Sequence, residues 1–204
     1  MDRIGHMGNQ WIHIVMSILL SIVLFLSTAL AQENDKPPTS IQLRSSYKTI
    51  SPAEMKSLTK ERGFYDVAWN PEGKFPHKYK EKIIHGDKVI VDFVTELMWH
   101  QSGSPSEMNY DEAMKWMLDF NNHGYAGYHD WRLPTAEEAQ SLMENSKKNG
   151  DLYIDPLFSG VQRWIWTGDT PGEGGSWAAS FWSTGMYPNL KGDHLSVRPV
   201  RSNK

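Results

Sequence analysis

Gly124-Tyr-Ala-Gly-Tyr-His-Asp-Trp-Arg-Leu-Pro-Thr135, followed by Ala136-Glu-Glu-Ala139 and Leu142, is the stretch whose reading decides the fold. Gly124 to Gly127 stops a preceding helix, because glycine adopts backbone conformations that a helix cannot continue. Trp131 and Leu133 alternate as a short strand feeding a core, and Pro134 shuts it. Thr135 with Glu138 three residues on reads as a capping box opening the next helix. Arg132 is a planar fork suited to an inward carboxylate. Asp130 is its nearest candidate along the chain, and the sequence does not identify the true partner. The stretch reads as a folding signature; a contact of Arg132 with an anion or sugar is the minority reading.

Working outward, Ser51-Pro-Ala-Glu54 opens an earlier helix that Gly63 ends, and Asn109-Tyr-Asp-Glu112 opens another, with Ala113, Trp116, Met117 and Phe120 at helical spacing. Lys88 to Phe93 and Leu97 to Gln101 read as a hairpin joined at Val94-Thr95-Glu96. Phe64 to Val67 is strand-like, and Asn70-Pro-Glu-Gly73 is a turn. After residue 164 the pattern turns to strands at Trp164–Thr167, Ser176–Phe181 and His194–Arg198, with glycine-rich loops between them. Helices in the first half and short strands in the second predict an α+β domain. The expected organisation is a signal peptide at 1–31, a linker at 32–50, an N-terminal helical extension at 51–86 and a domain at 87–202.

Composition narrows the function classes. The chain has 204 residues, a formal charge of −3 and no cysteine. Cysteine nucleophiles, thiolate metal sites and disulfide frameworks are thereby excluded. The slightly acidic balance argues against a nucleic-acid partner. Nine Trp, eight Tyr and seven Phe point to an ordered fold and not a disordered tail. Residues 14–26 form an uncharged apolar run, and Ala29 and Ala31 fit an A-x-A site, so export with cleavage after Ala31 is expected. An uncleaved segment would instead anchor the chain in a membrane.

The stretch from Gly124 to Leu142 resembles the signature of the Lcl C-terminal domain family, the terminal domain of bacterial collagen-like adhesins. Asp92 with Thr95-Glu-Leu-Met-Trp99 resembles its opening "D-x-x-T-G-L-M-W" hairpin, and Tyr153-Ile-Asp-Pro-Leu-Phe158 resembles its "I-D-P-x-F" stretch. Trp164–Thr167 and Trp177–Phe181 resemble its strand pair, and Val197-Arg-Pro-Val-Arg-Ser202 resembles its closing strand. Glu96 stands where the family usually has glycine, so a positive φ is not assumed there. Pro199 removes a ladder donor, which predicts an edge or a bulge for the last strand. The "W-R-L-P-T-x-x-E" piece also resembles a motif of the formylglycine-generating sulfatase-modifying family, and this resemblance implies a C-type-lectin-like fold. The oxidase activity of that family depends on a cysteine pair and is not implied for this chain.

No catalytic constellation emerges. Among His77, His85, His100, His123, His129 and His194 no pair has metal-site spacing, although His123 and His129 flank one loop. Gly-x-Ser-x-Gly is absent, and Gly172-Glu-Gly-Gly175 lacks the Lys-Ser/Thr of a phosphate loop. The aromatics are more informative. Trp164 and Trp166 share one face of a strand, and Trp177, Ala179 and Phe181 share one face of another, as core residues should. Trp182 has the opposite parity and precedes a polar loop, 183–193. Trp182, Tyr187, Asn189, Lys191 and Asp193 are therefore the candidate ligand-binding residues, on an exposed indole face beside amide and charged groups. The resemblance points to the same late loop.

The expected function is an exported, non-catalytic binding or adhesion module for a surface polysaccharide or glycosaminoglycan-like polymer. The alternative is an assembly module that binds a protein partner in the cell envelope. No cofactor is expected. Calcium is a secondary possibility, because Asp169, Glu173 and Asp193 are spread along the chain without a loop-like order. Two basic patches are expected, from Lys191, Arg198, Arg201 and Lys204 and from Lys74, Lys78, Lys80 and Lys82.

Overall fold

The computed structural model describes residues 40–172 and 174–203. The signal-peptide reading at 1–31, the first part of the linker reading, Glu173 and Lys204 lie outside them. Among the described residues no helix is long and apolar enough to cross a membrane.

Helix α1 (Pro52–Glu61) begins as the sequence predicts: the Ser51 hydroxyl accepts from the Glu54 N–H, and the Glu54 carboxylate accepts from the Ser51 N–H. Helix α2 (Tyr110–His123) has the same reciprocal cap at Asn109 and Glu112, and α3 (Ala136–Ser141) has it at Thr135 and Glu138. Each box satisfies two backbone donors that a helix start leaves orphaned.

Strands β1 (Tyr79–Ile84), β2 (Asp87–Asp92), β3 (Leu97–His100) and β7 (Val200–Ser202) form one antiparallel sheet in that spatial order. β4 (Trp164–Trp166), β5 (Gly175–Ser180) and β6 (Gly185–Leu190) form a second antiparallel sheet. The molecule is thus α+β, with a few short helices and two small sheets. β7 is an edge strand with Pro199 just before it, as the missing ladder donor requires.

The inner strands β3 and β5 are buried on both faces, so that successive residues enter two different clusters. Ile90, Trp99, Ile165, Trp177, Ala179, Phe181 and Val200 join one cluster with Met55 of α1 and Ala136 and Ala139 of α3. Val89, Val91, Met98, Trp166 and Ala178 join the other, with Ala113 and Met117 of α2 and with Trp131 and Leu133. The predicted face-sharing of Trp164 with Trp166, and of Trp177 with Phe181, holds. Fully burying side chains the size of Trp99, Trp166 and Trp177 contributes upwards of about 2 kcal/mol each. Two of the three indole N–H groups reach carbonyls: Trp166 donates to Met108 (2.9 Å) and Trp177 to Ile50 (2.9 Å).

Several expectations are corrected. The polar, Pro-containing segment before residue 51 suggested a linker, yet its described part is a strap on the domain. Ile41 N–H donates to Val94 O, Tyr47 Oη donates to Leu133 O, and Ile50 is fully buried. The 51–86 extension is not only helical, because it supplies edge strand β1. Glu96 does adopt a positive φ (+56°) in the β2–β3 turn. His194–Arg198 is not a regular strand and makes only single bridges, Leu195 to Met108 and Ser196 to Ile165. The predicted loop at 183–193 is largely strand β6, an edge strand that tolerates Pro188 opposite Trp177.

Candidate functional site

The signature stretch sits at the junction of both cores, held by local chemistry. Gly124 ends α2 with φ +75°, and a Cβ there would lie 2.6 Å from the His129 ring. Arg132 forks onto Glu138 with two 2.7 Å bonds, and the same carboxylate accepts from Thr135 N–H (2.8 Å). One acid therefore closes the capping box and neutralises the half-buried arginine. Asp130 instead pairs with Arg201 (2.7 and 3.1 Å), whose guanidinium lies over the Tyr128 ring.

Two more buried acids organise loops. Asp92 accepts from the Thr95 hydroxyl (2.6 Å), His77 Nδ1 (2.7 Å) and the N–H groups of Val94 and Lys78, which fixes the β2–β3 turn. Burial alone would raise its pKa, but these bonds and the charge of His77 outweigh it and hold the carboxyl below its ordinary value. Asp169 accepts a bidentate pair from Arg44 (2.9 and 2.6 Å) and the N–H groups of Lys48 and Ala136. Arg44 also bonds Glu137 at 3.1 Å. The sequence reading missed this strap latch, because Arg44 and Asp169 are 125 residues apart.

Arg198 is fully buried and meets no carboxylate. It donates to the carbonyls of Gln101 (2.6 Å), His100 (3.3 Å) and Ser159 (3.3 Å) and lies over the Phe158 ring. Burial lowers its pKa to about 9. With Arg201 also buried, both arginines are structural and neither contributes to the expected patch of Lys191, Arg198, Arg201 and Lys204, the last of which lies outside the described residues. Lys74, Lys78 and Lys80 are exposed, and Lys82 lies over Phe93.

Residues 88–201 match the model of the family described as the Lcl C-terminal domain. The chain belongs to that family. The acids and arginines just described, Asp92, Asp130, Arg132, Glu138, Arg198 and Arg201, all lie in the matched Lcl C-terminal domain and serve its architecture. No curated protein matches the chain.

The five candidate ligand residues are not one site. Trp182 lies in the β5–β6 turn, 52% exposed, with the Arg163 guanidinium 5.8 Å from its ring centroid. Asn189, Lys191 and Asp193 lie at or beyond the other end of β6, whose six residues span about 20 Å. There Asn189 donates to Asp193 (3.2 Å), which also accepts from Leu190 N–H, and Lys191 lies over Tyr110. Tyr187 is half-buried against Trp164, ring centroids 5.0 Å apart. The loop reading placed these residues together; strand β6 separates them. Arg163 is the neighbour of Trp182 that the sequence did not reveal.

Among the described residues no three His, Asp or Glu side chains gather as a metal site. Asp169 is committed to Arg44, and Asp193 to its own turn. His123 and His129 each direct Nδ1 to a backbone carbonyl of α2, those of Asp119 and Asn121, and neither belongs to a group of three His, Asp or Glu side chains among the described residues.

Proposed function

We propose that the protein is an exported, non-catalytic binding and adhesion module that recognises a surface polysaccharide or glycosaminoglycan-like polymer on a C-type-lectin-like scaffold. The observation that carries this reading is Trp182. Among the tryptophans of the described residues it alone is exposed, while the others are buried or half-buried. It stands at a rigid hairpin turn, where the N–H and Oγ of Ser183 both donate to Ser180 Oγ. An indole face beside a guanidinium offers stacking for a sugar ring together with a donor fork for hydroxyl, carboxylate or sulfate oxygens. The family membership and the absence of cysteine support a binding role over catalysis.

The test is a glycan array probed with the exported protein and with Trp182→Ala. Selective binding to a polysaccharide class, lost in the variant, supports the reading; a silent array refutes it. A second reading, an envelope protein partner, draws support from Met114 and Leu118. They are four residues apart on α2 and both exposed, 45% and 62%. That spacing puts them on one outer face. Under this reading Leu118→Lys abolishes co-purification with an envelope protein and Trp182→Ala does not.

A further inference from the structure

One groove lies outside both the late-strand surface and the signature network. Its first wall is the segment from Lys74 to Tyr79, which precedes the residues matched to the family; its second is the loop carrying Glu144, Lys148, Asp155 and Leu157. The groove encloses about 460 Å³, within the range of small-ligand sites.

The floor is aromatic because the chain is extended there. Phe75, His77 and Tyr79 alternate, so they share one side. Phe75 and His77 have centroids 5.1 Å apart, and His77 stacks on Tyr79 at 4.5 Å with planes 15° apart. His77 is pinned by bonds from both ring nitrogens, Nδ1 to Asp92 (2.7 Å) and Nε2 to Ser141 O (2.6 Å). It therefore has no lone pair to spend on a metal or a proton transfer in the groove. The Tyr79 hydroxyl is shielded from solvent and makes no hydrogen bond within the protein.

The rim is charge-balanced. Lys148 pairs with Glu144 at 2.8 Å, and Asp155 uses one carboxylate oxygen to accept from Leu157 N–H (2.9 Å). Lys74 completes two cations against two anions. With two lysines against two acids, the rim offers a polyanion no net charge. A flat ring with apolar C–H faces and hydroxyls at its edge fits both parts: the faces cover the aromatic floor and the hydroxyls meet the carboxylates and ammonium groups.

We propose that this groove binds an uncharged pyranose unit of an oligosaccharide, as a subsite that the N-terminal extension adds to the family domain. The inference rests on the polysaccharide-binding reading above and names a different surface and a neutral ligand class.

The test is an NMR titration of isotope-labelled protein, produced from the full-length sequence, with cellotriose, maltotriose and chitotriose, and with heparin as a polyanion. At least one neutral trisaccharide is expected to shift the amides of residues 74–79 and 144–157. The exposed substitution Lys74→Ala combined with the shape-preserving Glu144→Gln is expected to weaken that binding by about tenfold or more, with spectral dispersion retained. Glycan binding that shifts other residues and ignores the groove variant overturns this inference and spares the polysaccharide reading. Shifts at the groove with heparin alone overturn the neutral-ligand assignment. No binding by any glycan overturns both.

Discussion

His100 makes the stability of this protein depend on pH in a defined window. Its ring is buried at the end of β3, tilted against Tyr125 (4.3 Å between centroids) and edge-on to Phe120, and its Nδ1 accepts from the Gly103 N–H at 2.6 Å. Burial first, and then the charge of Arg198, lower its pKa from 6.5 to about 4. The unfolded chain takes up a proton on His100 below about pH 6.5 that the folded protein refuses. The corresponding stability is therefore complete above pH 6.5 and is lost as pH falls toward 4. That interval is worth about 3 kcal/mol, at no more than about 1.4 kcal/mol per pH unit. Urea denaturation followed by tryptophan fluorescence from pH 7.5 to 4.5 measures it. His100→Asn keeps an acceptor for Gly103 and loses the aromatic contacts, so it starts about 2 kcal/mol lower and lacks the His100 contribution to the slope. Parallel curves for the two proteins, or an NMR titration of His100 near 6.5, would refute the reasoning.

Glu138→Ala leaves the Arg132 guanidinium without its carboxylate and removes a helix cap, costing about 3 kcal/mol. Melting should fall by roughly 6–12 °C, while the double variant Arg132→Met/Glu138→Leu recovers most of that loss; additive losses in calorimetry would contradict it. Arg44→Ala unlatches the strap from buried Asp169 and Glu137, and limited proteolysis should then cut before residue 50 ahead of the rest. Glu96→Gly relieves a positive φ of +56° and should stabilise by about 0.5–1 kcal/mol in chemical denaturation. Asp92→Asn removes a carboxyl whose pKa is lower folded than unfolded. The stability it supplies is present above about pH 4 and is lost as pH falls through the folded value, so the variant should denature less steeply with acid in that range.

What was legible in the sequence was local. The capping signals at Ser51 and Thr135, and the parity of Trp177 and Phe181, act over two to four residues, and each came through in the structure. The missed features depend on distance or on position in a sheet. β1 reads as polar because Lys80 and Glu81 lie on an exposed edge, where alternation of apolar residues is not needed. β6 reads as a loop because Pro188 and Asn189 are poor strand formers, and only its place at a sheet edge excuses them. That one misreading merged Trp182 with Asn189, Lys191 and Asp193 into a single candidate site. The partners of Arg132 and Arg198 were out of reach for a related reason. A guanidinium drawn into the fold takes whichever acceptors the fold brings to it, a helix-cap carboxylate for half-buried Arg132 and three backbone carbonyls for buried Arg198.

The measurement that tests the central claim most directly is a crystal structure of the protein soaked with the oligosaccharide selected on the array. The account predicts a sugar ring stacked on the Trp182 indole within hydrogen-bonding distance of Arg163, with a neutral unit in the groove over His77 and Tyr79. A sugar bound on another surface, or none at saturating concentration, would contradict it.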